Sequence, residues 1–403
     1  MSSAEQRAAA ANESGSSAEP AAWSRRPHAL DPPHLLHVFP SFEIGGVPIR
    51  IANVINHYGT KYRHSIISLD RVTDGRSRLR KDLDLAFLPV TIDSRRPLGA
   101  LRSIRRTLGT QRPDLLLTYN WGSVEWALVN SLFRFSPHIH FESGFGPEEA
   151  DRQLYRRVIL RRIALFGMRR LVAPSFGLVE LATKTWKLNA KKVLHIPNGV
   201  DCALFAGPPE PGSVPGFTKS ADELVIGTLA PLRAEKNLSR LIRVFAALQP
   251  LANLRLVVVG EGPERQKLTA LAGTLHLGDR VIFSGNTDAP ERVFGWFDVF
   301  VISSDTEQMP NTVLQAMAAA RPIAGVDVGD IKRMVSVENR PFIVPKANED
   351  QLCEAVRRLL GDPRLRAELG ARNQAHVRAE YDLQKMFERY GALFDECLAA
   401  TAG

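Results

Sequence analysis

Short apolar runs alternate along the chain with longer stretches in which apolar residues recur every three or four positions. The first run, HLLHVF, begins at His34, and similar runs follow at residues 64–69, 86–90, 114–118, 138–142 and 170–173. A second series occupies residues 223–227, 254–260, 281–284, 299–302, 323–326 and 342–344. Runs this short, apolar throughout, suit strands covered on both faces, and the stretches between them suit amphipathic helices. Such alternation predicts α/β architecture with parallel sheets.

The two series are separated by residues 205–220, where prolines, glycines and serines lie in loose order. At 403 residues the chain also exceeds what one core usually organises. Two Rossmann-like domains are therefore expected, 31–200 and 201–380. Residues 1–30, rich in Ala, Ser, Glu and Pro, read as a disordered tail. Residues 381–403 read as a helix with aromatic and aliphatic residues at helical spacing.

Composition narrows the class. The apolar fraction is 44% and the charged fraction 24%, ordinary for a folded soluble chain. Cys202, Cys353 and Cys397 lie far apart, which offers neither a zinc framework nor a disulfide scaffold and fits a reducing cytoplasm. No apolar run approaches the ~20 residues of a membrane span, and no basic start with an apolar core suggests a secretory signal. A net charge of +9 implies anionic company. Nucleic acid fits the charge but lacks a binding motif or interleaved aromatics. In RQLYRRVILRRIALFGMRRL, from Arg152, arginines mix with Leu, Ile and Phe. Two readings stand: a half-buried helix with a basic outer face, or a peripheral contact with an anionic membrane surface.

The most informative segment is VIGTLAPLRAEKN, from Val225. A strand delivers Arg233 and Lys236 to its C-terminal end, where open α/β sheets bind ligands, and Asn237 suits the cap of the next helix. A guanidinium fork, an ammonium and free backbone amides together suit a diphosphate. Farther on, a polar loop with Glu307 precedes a helix starting near Asn311, whose unpaired amides add to the same site. GEGPER, from Gly260, lacks the third glycine of a dinucleotide fingerprint, so a nicotinamide site is disfavoured. His138, His140 and Glu142 alternate on one strand, and packing or hydrogen bonding is favoured there over a metal.

Taken in order, IPNGVD from Ile196, RAEKN from Arg233, GEGPER and the Glu307 segment resemble the family-4 type of retaining glycosyltransferases with the GT-B fold. The resemblance implies an enzyme moving a sugar from a nucleotide-diphosphate donor to a hydroxyl of a glycan or lipid-linked acceptor, with retention and without a metal or other cofactor, the domains 31–200 on the acceptor side and 201–380 on the donor-nucleotide side facing across a cleft. Arg233 and Lys236 match its phosphate-binding pair, and Glu307 matches the first carboxylate of its glutamate pair. Asn311, Thr312 and Val313 match the helix start that meets sugar and phosphate. Gly45 and Gly46 match the first-domain glycine loop, and the terminal helix would cross back to the first domain. Two departures stand out. Gln315 replaces the second glutamate, and Glu142 or Ser143 occupies the place of a histidine. A nucleotide-sugar epimerase of the same fold and a catalytically weak partner subunit are the alternatives. Similar enzymes work at the cytoplasmic membrane face, which makes a cytoplasmic, peripheral location the expectation.

Overall fold

The two series of apolar runs build two parallel sheets in a computed structural model that describes residues 31–92, 96–145, 147–149, 152–248 and 253–399. The stretch read as a tail, residues 1–30, lies outside the described residues. The first sheet contains β1 (His34–Phe39), β2 (Arg63–Ser68), β3 (Leu85–Phe87), β4 (Leu115–Tyr119), β5 (His138–Phe141), β6 (Arg170–Ala173) and β7 (Val193–His195). Their order across it is β3-β2-β1-β4-β5-β6-β7. The second contains β8 (Leu224–Leu229), β9 (Leu254–Val259), β10 (Val281–Gly285), β11 (Val299–Ile302), β12 (Ile323–Val326) and β13 (Ile343–Val344), ordered β10-β9-β8-β11-β12-β13. Every strand pair is parallel. Both faces of each sheet are covered, so the central strands read as uninterrupted apolar runs.

Each sheet reverses its strand order once, between β1 and β4 in the first and between β8 and β11 in the second. Loops leaving the C-terminal ends of strands diverge at such a reversal and open a crevice. The two crevices face one another and merge into a single cleft of 720 Å³ lined by residues of both halves.

Contacts around the cleft hold the halves together. Ser175 Oγ meets Gln308 Oε1 at 2.9 Å, the Phe176 N–H donates to Asp330 Oδ2 at 2.6 Å, and Asn198 Nδ2 donates to the Met309 carbonyl at 3.0 Å. The terminal helix Leu383–Ala399 packs on the first half. Its Met386, Phe387, Tyr390, Leu393 and Phe394 join the β1 to β6 core, Tyr390 stacks on Phe141, and the Tyr58 hydroxyl donates to the Phe387 carbonyl. Among the described residues no helix is long and apolar enough to cross a membrane.

The segment from Arg152 forms a helix over Tyr155–Ala164. Arg161, counted in the sequence among the cations of a basic stretch, is instead fully buried. Its guanidinium stands 4.7 Å from the rings of both Trp121 and Trp186 and bonds both oxygens of Glu149, at 3.1 and 2.9 Å. Burial, the largest single influence, would raise the Glu149 carboxyl, but the bonds and charge of Arg161 together with the Leu154 N–H and Arg157 hold it below its ordinary range. Tyr155, Ile159, Ile163 and Phe166 face outward.

Candidate active site

Arg233 and Lys236 reach the cleft on the loop after β8, and Glu307 on the loop after β11. These strands are neighbours, and hydrogen bonds stitch their loops together. The Asp305 N–H donates to the Glu235 carbonyl at 2.8 Å, and Ser303 Oγ to the Lys236 carbonyl at 3.1 Å. Asn237 caps the helix Leu238–Ala247 by accepting from the Arg240 N–H, and its Nδ2 donates to Asp305. Lys236 Nζ consequently lies 2.6 Å from Glu307 Oε1, which also accepts from Ser304 Oγ at 2.7 Å. Arg233 is exposed on the cleft wall.

Glycines permit these close approaches. Gly262 has φ +159°, and a Cβ on it would stand 2.5 Å from the Leu232 carbonyl oxygen. The Leu232 N–H in turn donates to the Glu261 carbonyl and its oxygen accepts from Glu264, so GEGPER props the chain just before Arg233. On the other side Gly329, at φ +57°, leaves room for the backbone of Glu307, whose carbonyl oxygen would be 2.4 Å from a Cβ.

The helix Asn311–Ala318 opens into the same cleft, with Asn311, Thr312 and Gln315 on its wall. Val313 does not line it. Its side chain is buried in the apolar core, and its N–H is already engaged by the Pro310 carbonyl at 3.2 Å, because the helix starts in a tight turn. From the first half, Gly45 and Gly46 line the cleft at the start of the helix Gly46–Tyr58. Gly45 is extended there, with φ −162°. A Cβ on Gly46 would lie 3.6 Å from Asn311 Nδ2, so this loop touches the opposing helix start.

The structure separates Glu142 from Ser143. Ser143 lines the cleft and its hydroxyl accepts from Arg50 Nη2 at 2.7 Å. Glu142 does not, since alternation at the end of β5 turns it inward. It is fully buried 3.6 Å from Arg161 Nε and 3.8 Å from His140 Nε2, with neither carboxylate oxygen hydrogen-bonded. His138 and His140 both bond Thr118 Oγ1, at 2.7 and 2.8 Å. Among the polar cleft residues that sequence reasoning did not single out are Arg50, Asn120 and Asn198. Asn198, inside IPNGVD, joins Arg50 to Asn311, accepting from the former and donating from Nδ2 to the latter at 2.9 Å. Its place in that motif was the one available signal.

Two Rossmann-like α/β units meeting at a shared cleft define the GT-B architecture. Residues 44–204 match the family model described as Glycosyltransferase Family 4, and residues 215–376 match that described as Glycosyl transferases group 1. The chain belongs to the family-4-like glycosyltransferases of the GT-B fold. Among curated proteins it is similar to the lipopolysaccharide core biosynthesis glycosyltransferase LpsD of Rhizobium meliloti (strain 1021), 29% identical over 220 residues, 55% of this chain and 62% of that one. It is also similar to N-acetyl-alpha-D-glucosaminyl L-malate synthase of Bacillus anthracis, 24% identical over 179 residues, 44% of this chain and 47% of the relative. These matches thus span about half to under two thirds of the relatives' own length. Among solved structures, Anabaena Alr3699/HepE in complex with UDP shares the fold at a TM-score of 0.76 and 16% identity, covering 90% of this chain and all of that one.

Proposed function

We propose that the protein transfers a glycosyl group from a nucleotide-diphosphate sugar to a hydroxyl of a glycan or lipid-linked acceptor, in polysaccharide or related surface-glycan assembly. One observation carries the reading: Arg233, Lys236, Glu307, the start of the helix Asn311–Ala318 and the Gly45–Gly46 loop all line one cleft. A relative named for lipopolysaccharide core biosynthesis and a structural neighbour in complex with UDP support the reading.

In this mechanism the acceptor oxygen bonds the anomeric carbon while the bond from that carbon to the diphosphate oxygen breaks. The hydroxyl proton passes to the departing diphosphate. Negative charge grows on that leaving group, and Arg233, Lys236 and the Thr312 end of the helix stabilise it more than they did in the bound donor. An ammonium has three donors, so Lys236 can bond Glu307 and a phosphate together. Glu307, with Oε1 held by Lys236 and Ser304, turns its other oxygen to the donor sugar. Gln315 meets the nucleotide ribose through its amide in place of a carboxylate. The two cations take the role that a metal fills elsewhere, so transfer is metal-independent, with the retained anomeric configuration of similar enzymes.

The acceptor half also offers a peripheral contact with an anionic membrane surface on the cytoplasmic side. Tyr155, Ile159, Ile163 and Phe166 are exposed beside Arg156 and Arg162. A thermal-shift screen of nucleotide sugars tests the main reading. One nucleotide series should raise the melting temperature, and a flat response to all of them would sink the reading. Co-sedimentation with anionic vesicles, weakened by salt, tests the membrane contact, and sedimentation indifferent to lipid charge would refute it.

A further inference from the structure

Three arginines are buried among the described residues: Arg50, Arg161 and Arg240. Two have carboxylate partners. Arg161 is paired with Glu149, and Arg240 with Asp305 and Glu349. Arg50 has none among the described residues. Its Nη1 donates to the amide oxygen of Asn198 and its Nη2 to the hydroxyl of Ser143, both neutral, while Nε has no partner. The residue is 7% exposed, and what remains of its surface lines the cleft. A guanidinium carries five N–H donors, so three are uncommitted here.

A buried cation without a counter-charge is costly unless something supplies the missing charge. The fold forces Arg50 into this position. It lies one helical turn after Gly46, on the same side of the helix Gly46–Tyr58, between Ser143 on one wall and the Asn198 to Asn311 link on the other. A guanidinium fork fixed by two neutral acceptors and opening on a substrate cleft is preorganised for a planar or tetrahedral oxyanion.

We propose that Arg50 is a substrate-binding residue that receives an anionic group, a phosphate or a carboxylate, in the cleft. The inference rests on the glycosyltransferase reading above. Two sources can present that anion: the donor diphosphate reaching across from Arg233 and Lys236, or an acidic substituent on the acceptor.

Calorimetric titrations of the wild type and of Arg50→Gln tell these apart. UDP, GDP and ADP are titrated first, and inorganic phosphate is then titrated into enzyme saturated with whichever nucleotide binds. If the anion is the donor's, Arg50→Gln weakens the nucleotide about tenfold or more, as loss of a charge-assisted hydrogen bond implies. If it is the acceptor's, nucleotide binding is unchanged, and phosphate binds the saturated wild type but not the variant. Either result supports the assignment, and Arg50→Lys, which keeps the charge, should recover part of the lost affinity. Nucleotide and phosphate binding both within twofold of wild type in folded Arg50→Gln would overturn it. Arg50→Met serves as the uncharged variant should the glutamine form misfold. A wild type that binds no nucleotide would instead count against the glycosyltransferase reading, while phosphate binding alone, compared between wild type and variant, would still decide the role of Arg50.

Discussion

Replacing Lys236 by alanine strikes the cleft twice. The ammonium lies 2.6 Å from Glu307 Oε1, and the two side chains are 19% and 11% exposed. Its loss removes one charge-assisted hydrogen bond to the diphosphate, worth about 1.5–3 kcal/mol. It also leaves the Glu307 carboxylate with Ser304 alone, facing an incoming anion. A fully buried orphan charge costs about 3–5 kcal/mol, and the partial exposure here reduces that to roughly 1–2 kcal/mol. Together these weaken nucleotide binding by about 10²- to 10³-fold, read by calorimetric titration of the nucleotide that binds the wild type best. Turnover should fall by about 10² to 10³, the usual effect of losing one donor to a developing oxyanion. In the double variant Lys236→Ala/Glu307→Gln the repelling charge is gone, so part of the affinity returns while turnover does not. A single variant that binds and turns over donor like the wild type refutes the reasoning, as does a double variant binding no better than the single one.

Further expectations concern the scaffold. Gly262→Ala drives a Cβ against the Leu232 carbonyl, so it should displace the Arg233 loop and weaken nucleotide binding; unchanged affinity would show that GEGPER does not position that loop. Arg161→Met leaves Glu142 and Glu149 buried without their shared cation and should lower stability by about 3–5 kcal/mol in urea denaturation; an unshifted midpoint would contradict this. Burial pushes His34, His64 and His138 down to about 4, 3 and 3, with Arg63, His34 and His140 respectively adding to the effect. All three are neutral in the folded chain, whereas the unfolded chain takes up protons once pH falls below about 6.5. Their contribution is therefore complete above that value and is lost on acidification, by roughly 4 kcal/mol in total between about pH 7.5 and 5.5. Stability flat over that window would refute the assignment.

The fold was legible because its strands are buried on both faces, which turns each into a bare apolar run that local reading detects. β7 was missed, since Val-Leu-His is short, follows two lysines and has only Val193 buried. Arg233, Lys236, Glu307 and Asn311 were readable as positions at strand ends or a helix start, and the sheet order brings them to one cleft. Arg50 was not readable. In sequence it is a cation in an amphipathic helix, and its burial is supplied by Asn198, 148 positions away. Arg161 misleads for the same reason, because Trp121, Trp186 and Glu149 that enclose it come from other segments. Glu142 and Ser143 are adjacent in the extended chain just past β5, so a one-residue ambiguity in alignment decides which of them faces substrate.

The most direct test is a crystal structure of the protein with its preferred nucleoside diphosphate bound. The diphosphate oxygens should lie about 3 Å from Arg233 and Lys236 and from the backbone N–H at the start of the helix Asn311–Ala318, the range of charge-assisted hydrogen bonds. A nucleotide seated elsewhere, with those groups making no contact to its phosphates, would contradict the shared diphosphate site on which the proposed chemistry depends.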